Sequence, residues 1–291
     1  MTTTEPETLR QHGYAAHPRR AVWHRRSFNG FMVLSAVLAA LFLLAPTLIV
    51  IVISFGTDRF MTLPPSGWTV DWFGRIPPRY FESAWLSVRL ATIVTVASVM
   101  LGVPAGLGLA RSRMRAKALV DAIVRSPLQV PFVVIGVMSL FYYSLLNRTV
   151  GLGLLGTMTG LAIAHTIVTA PYVVVGVVAS MAKFDVGLED AAHGLGASRF
   201  TTFRLVIFPI IKPAVVAGSF FAFLVSFDEV PITLFITVAG AATLPVTMFL
   251  DAELQLSPVI YAVSSLLTLM SIGAVLLFAR VVGLRGAMAP Q

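Results

Sequence analysis

Long apolar runs alternate with short polar stretches along this chain. The runs lie at about 28–55, 84–110, 128–146, 154–181, 212–238 and 258–282. Each is near or above the roughly 20 residues that cross a hydrocarbon layer at about 1.5 Å per residue. A lone spanning strand leaves its backbone groups unpaired in lipid, so each run reads as a helix. The first run exceeds the roughly 7–15 apolar residues of a signal peptide and ends without a small-residue cleavage site, so it reads as a retained span. Pro46, Pro104, Pro131, Pro171 and Pro231 fall in or near spans, where neighbouring helices satisfy the freed carbonyls. The expectation is an all-α, polytopic membrane protein with six transmembrane helices. A polar tail occupies 1–27, the six-helix domain 28–285, and a short tail 286–291.

One polar stretch between spans, at 188–213, is helix-forming at its start and reads as structured. Glu189 and Asp190 suit the start of a helix, where acids complement the dipole. Ala191 and Ala192 favour helix, and Gly194 and Gly196 allow a turn. From Phe200 to Ile211 a mostly apolar helix restarts. The expected form is a short helix, a bend and a second helix along the membrane face. Such a loop suits a partner outside the bilayer.

Charge fixes the expected orientation. The N-terminal tail, the second and fourth loops and the C-terminal tail together hold sixteen Lys and Arg. The opposite loops hold four: Arg59, Arg75, Arg79 and Arg148. Basic residues concentrate on the cytoplasmic side, which puts both termini and the 188–213 loop there. Composition agrees with a membrane setting, at 57% hydrophobic and 12% charged residues. The net charge of +8 lies in short loops, which favours the membrane explanation over nucleic acid. With no cysteine, disulfides, thiolate catalysis and Cys-type zinc sites are excluded.

The first outer loop, about 56–83, carries Trp68, Trp72, Tyr80 and Phe81, suited to interfacial anchoring. The fifth loop, about 239–257, carries Asp251 and Glu253 and no Lys or Arg. No internal repeat is visible, which disfavours an inverted-repeat secondary transporter.

No catalytic motif emerges, and no phosphate loop, so ATP hydrolysis is not expected here. His165 beside Thr166 and Thr169 reads as a histidine bonded to a neighbouring helix; no metal site is expected. Asp228-Glu229, following Ser226-Phe227, puts two acids in the fifth span. A charge there costs at least ~2.5 kcal/mol, so the pair is expected to face a cavity or the bundle interior. Attraction of a cationic solute and a hydrogen-bonded structural role, with Ser226, Thr233 or a partner subunit as donor, fit equally well. On a regular helix the two point about 100° apart, unless Pro231 unwinds it.

The 188–213 stretch resembles a known family. Asp190-Ala191-Ala192, Gly196 and Phe208-Pro209 are similar to the E-A-A-x-x-x-G-x9-I-x-L-P motif of ABC importer permeases. Asp190 stands for Glu, Val206 for Ile and Phe208 for Leu. Ala164-His165-Thr166, Ala170-Pro171-Tyr172, Ser226-Phe227-Asp228-Glu229 and Thr243-Leu244-Pro245-Val246 are similar to the spermidine/putrescine permease branch. The resemblance covers about 28–285 and implies a bacterial inner-membrane subunit with a coupling loop at about 184–211. It further implies a second homologous permease, two ABC ATPase subunits that use ATP and Mg, and an extracytoplasmic solute-binding protein. The ATPase-coupling residues it implies are Glu189, Asp190, Ala191, Ala192, Gly194, Gly196, Ala197, Ser198, Phe208 and Pro209. No cofactor is expected on this chain itself. Other cargoes for such a permease (amino-acid-like compounds, opines, phosphonates, ferric ion) stay open, as do a stand-alone channel and, less favoured, a membrane enzyme.

Overall fold

The computed structural model describes residues 18–59, 62–237, 242–254 and 257–282. Among them, six helices are long and apolar enough to cross a membrane: Gly30–Ser54, Pro78–Arg111, Phe132–Val150, Met158–Met181, Arg199–Asp228 and Pro258–Arg280. Residues 1–17 and the C-terminal 283–291, with Arg285, lie outside the described residues.

The first span belongs to a unit of its own. Its helix α1 runs over Pro18–Ser54, starting ten residues ahead of the apolar run that begins at Phe28. The second unit begins at Ile53. It contains α2 (Asp71–Gly74), α3 (Pro78–Arg111), α4 (Lys117–Arg125), α5 (Phe132–Val150) and α6 (Met158–Met181). There follow α7 (Gly187–Gly194), α8 (Arg199–Thr202), α9 (Phe208–Asp228), α10 (Pro231–Ile236), α11 (Leu244–Leu254) and α12 (Pro258–Val282).

α6 is the central helix, flanked by α3 and α9. In lipid, helices gain nothing by hiding apolar surface from water, so small residues that permit close approach drive packing. Ser98, Gly102 and Gly106 recur every four residues on α3 and are buried. A Cβ at Gly102 would stand 2.7 Å from Cβ of Val173, and one at Gly106 would stand 2.8 Å from Cβ of Val177. From the other side, Gly218 of α9 abuts the Val173 backbone, with 2.8 Å between a built Cβ and that Cα. Ser98 and Thr169 hydroxyls meet at 2.7 Å across the α3–α6 seam. The Thr169 hydroxyl also donates to the His165 carbonyl at 2.8 Å, so Ser98 donates across the seam.

Two expectations change. The fifth span is not 212–238: α8, a π turn over Phe203–Ile207 and α9 run on without a break to Asp228. Residues 200–211 are therefore the entry of that span, not a separate helix. Pro209 has no N–H to offer the carbonyl four residues back. The wider turn just before it shifts the pairing, with Phe208 N–H donating to the Phe203 carbonyl. The break comes later, where Pro231 opens α10 at its first position.

In the loop at 56–83, Trp68 and Phe81 are exposed, whereas Tyr80 is buried. Its hydroxyl donates to Asp251 at 2.6 Å, and Arg79 donates to the same carboxylate at 2.8 Å. These contacts tie α11 to the start of α3. Ahead of α3, which takes up the loop from Pro78, the one helix in the described part of the loop is the single turn α2. The loop is organised by Asp58, which accepts from the Ser66 hydroxyl, from Ser66 N–H at 2.8 Å and from the Thr62 hydroxyl at 2.5 Å. Ser66 first, then Thr62, holds the Asp58 carboxyl down at about 2, below its ordinary 3.8. A depressed carboxylate pKa favours the folded loop above the ordinary value, and that contribution fades as pH falls toward the folded one. Hydrogen exchange at the Ser66 amide should therefore lose protection between about pH 4 and pH 2. Asp58→Asn should remove that pH dependence; an unchanged profile would contradict the assignment.

Candidate functional site

The 188–213 stretch folds into a rigid turn rather than a flexible loop. Asp185 accepts from Gly187 N–H at 2.9 Å at the start of α7. At the other end, Ala197 N–H donates to the Ala192 carbonyl at 3.0 Å, and Gly196 N–H to the His193 carbonyl at 2.9 Å. That pair of bonds is a Schellman stop, which requires a left-handed residue just past the helix. Gly196 supplies it, with φ of +80°. Ser198 then opens α8, its hydroxyl oxygen accepting from Thr201 N–H at 3.2 Å. Gly194 has no such duty: it is helical, its φ is not positive, and a Cβ there meets open space.

The turn is anchored to the bundle. Arg111, the last residue of α3, donates to the Glu189 carboxylate. Phe203 and Ile207 pack against Val173 and Val177 of α6. The outward side stays bare. Asp190 and Ala191 are exposed, Leu195 is 89% exposed and Phe200 is 72% exposed. Of the remaining residues expected here, Ala192 and Ala197 are half-buried, Ser198 and Phe208 are exposed, and Pro209 lies in the first turn of α9. The turn therefore presents an apolar surface rimmed by polar groups.

The acidic pair separates into two different environments. α9 ends at Asp228, and Glu229 is extended, with φ −73° and ψ 126°. Asp228 is exposed, while Glu229 is 3% exposed. Glu229 turns onto the start of α10. It accepts from Ile232 N–H at 2.5 Å, from Thr233 N–H at 2.9 Å and from the Thr233 hydroxyl at 3.0 Å. Those N–H groups would otherwise be orphans of the helix start. His165 bridges α6 to this break, with Nδ1 3.0 Å from the Ser226 hydroxyl and Nε2 2.9 Å from the Thr233 hydroxyl. With Thr233 donating to Glu229, the consistent assignment places a proton on Nε2 and lets Ser226 donate to Nδ1.

Thus Ser226, Glu229, His165 and Thr233 form one closed network that braces a broken helix. Of the pair, Asp228 is the exposed carboxylate. Among the described residues no cluster of His, Asp and Glu could hold a metal ion. Arg111 was not legible as a partner of Glu189, because 78 residues separate them. The cue for the Glu229 cap was present: an acid two residues before a proline that can start a helix.

Comparison with known proteins bears on this arrangement. Residues 98–284 match the family model for the binding-protein-dependent transport system inner membrane component. The putrescine transport system permease protein PotI of Escherichia coli (strain K12) is 29% identical over 229 residues, 78% of this chain and 81% of PotI. The spermidine/putrescine transport system permease protein PotC of the same strain is 29% identical over 246 residues, 84% of this chain and 89% of PotC. The molybdenum transport system permease protein ModB of Mycobacterium bovis is 32% identical, with 69% of this chain and 82% of ModB covered. In fold, a chain of a bacterial ABC transporter involved in the import of the acidic polysaccharide alginate matches with TM-score 0.64 at 17% identity, over 88% of this chain and 96% of that one. A chain of the inward-facing MetNI methionine ABC transporter matches with TM-score 0.59 at 17% identity, over 72% and 96%. With six apolar helices, a rigid motif turn and a matched stretch covering most of the bundle, this multi-pass membrane protein belongs to the family of binding-protein-dependent transport system inner membrane components.

Proposed function

We propose that this chain is the permease subunit of an ATP-driven importer for a polyamine or a similar small cationic organic solute. The observation that carries the mechanism is the α7–α8 turn, locked by Gly196 and tied to α3 through Glu189, with its outer side bare. A rigid element transmits a push where a flexible loop absorbs it. Two ATPase subunits grip Glu189, Asp190, Ala191, Ala192, Gly194, Gly196, Ala197 and Ser198 on this chain and on a second homologous permease. Phe208 and Pro209 carry the movement into the fifth span. ATP hydrolysis belongs to those partners, with their Mg, and this chain holds no cofactor. An extracytoplasmic binding protein delivers solute to the outer face. Both termini and the motif turn are cytoplasmic, in a bacterial inner membrane, as the charge asymmetry favours. The tails at 1–27 and 286–291 flank the six-helix domain.

The polyamine reading leans on the names of PotI and PotC and on the exposed Asp228. Similarity to ModB favours one rival cargo, a molybdenum species. Asp228→Asn tests the cation. Uptake of putrescine or spermidine should fall about tenfold at subsaturating solute, the scale of a lost charge contact of ~1.5 kcal/mol. Molybdate uptake should stay absent. Glu229→Gln should instead lower the stability of the purified chain, because the cap of α10 is weakened. If Asp228→Asn leaves polyamine uptake unaltered across solute concentrations, the acid is not on the path.

A further inference from the structure

Helix α4, between the second and third spans, carries its charges on the side that faces inward. By the helical period, Lys117, Asp121 and Arg125 share a face with Val120 and Val124, and all five are half-buried. Arg125 Nε donates to Asp121 at 2.7 Å, and Lys117 Nζ donates to the Ala110 carbonyl of α3 at 3.1 Å. The opposite face consists of Ala118, Leu119, Ala122 and Ile123, all exposed. Leu119 is 63% exposed and Ile123 61%. Just ahead of the helix, Arg113 and Arg115 are exposed on either side of an exposed Met114. Among the described residues, neither of these arginines has an ion-pair partner.

We infer that α4 lies in the membrane interface, with its Leu119–Ile123 face in the acyl layer and Arg113 and Arg115 against anionic phospholipid headgroups. A soluble partner would meet a docking face that mixes apolar and hydrogen-bonding groups. The outer face of α4 has no polar side-chain atom, which suits hydrocarbon. Its position agrees. It joins α3, which ends at Arg111, to α5, which begins at Phe132, so both neighbours hold it beside the bilayer surface. Apolar anchoring combined with basic residues is the pattern of interfacial helices on anionic membranes. The reading rests on the spans and not on the cargo.

The absence of cysteine makes the test clean. Single variants Leu119→Cys and Ile123→Cys of the full chain carry a nitroxide in nanodiscs of phosphatidylethanolamine and phosphatidylglycerol. Met138→Cys on the exposed side of α5 serves as the lipid reference, and Leu195→Cys as the aqueous one. Both α4 labels should collide with oxygen more than with a water-soluble nickel chelate, as at Met138. Preferential access to the nickel chelate at both, as at Leu195, would overturn the inference. Protection from both reagents would overturn it equally, because protein would then cover the face. In the same discs, Arg113→Gln with Arg115→Gln should lower the ratio of docked to undocked label by roughly twenty-five-fold, about fivefold for each arginine. Phosphatidylcholine-only discs should give a similar drop. A ratio indifferent to both changes would remove the anionic headgroup from the account.

Discussion

Gly196→Trp abolishes solute uptake while the chain still inserts and accumulates to its usual level. The position allows no milder outcome at the docking surface. Its φ of +80° disfavours any side chain by roughly 1–2 kcal/mol. That penalty shifts the population of the α7 stop by about five- to thirtyfold. A Cβ there meets no neighbour, so the bundle itself feels nothing, but an indole would project from the exposed surface of the turn. Glu189→Lys reaches the same result by another route. It sets a second cation against Arg111 and releases α7 from the end of α3. An exposed ion pair contributes at most about 1 kcal/mol, so the fold survives while the orientation of the turn does not. Uptake and ATPase co-purification are measured together for both variants. Normal values in both would remove the coupling role from this turn.

The second large effect lies in the bundle. Gly102→Leu prevents accumulation of folded chain, while Gly108→Leu, six residues along the same helix, is tolerated. The Gly102 Cβ would meet Cβ of Val173 at 2.7 Å and the Ala170 carbonyl at 3.2 Å. The second contact is backbone, so no side-chain rotation relieves it. Overpacking of a filled core costs about 1–3 kcal/mol for a methylene or two, and a leucine adds more. A Cβ at Gly108 would meet no packing neighbour within 4 Å. Both variants have the same hydropathy gain, so a difference reports packing alone. Thermal unfolding followed by size-exclusion in detergent separates them. Equal behaviour of the two variants would contradict close α3–α6 packing.

Hydropathy alone located the six spans, because lipid forbids an exposed unpaired backbone and so makes apolar length decisive. It could not locate the end of the fifth. Thr233, Leu234 and Phe235 are as apolar in aggregate as the residues before Asp228, so composition runs straight through the break. The break instead depends on Glu229 capping α10 and on His165 arriving from α6, contacts that join residues 61 and 68 positions apart. The stripe of Ser98, Gly102 and Gly106 acquires its meaning only with α6 in place, because Thr169, Val173 and Val177 supply the contacts. Of the motif glycines, Gly196 is demanded by backbone geometry and Gly194 is not, a distinction invisible in residue names. The motif order itself, from Asp190 through Gly196 to Pro209, was legible because it lies in one continuous stretch.

The central claim is that the α7–α8 turn grips an ATPase on behalf of a chain that cannot move solute alone. Leu195→Cys, on the most exposed apolar side chain of that turn, provides a single attachment point in a chain without other cysteines. A short thiol-to-amine crosslinker is applied in native membranes, and the conjugate is identified by mass spectrometry. The account predicts a crosslink to a subunit bearing a phosphate-binding loop. A crosslink to lipid or to no protein, together with solute movement by the purified chain alone, would contradict it.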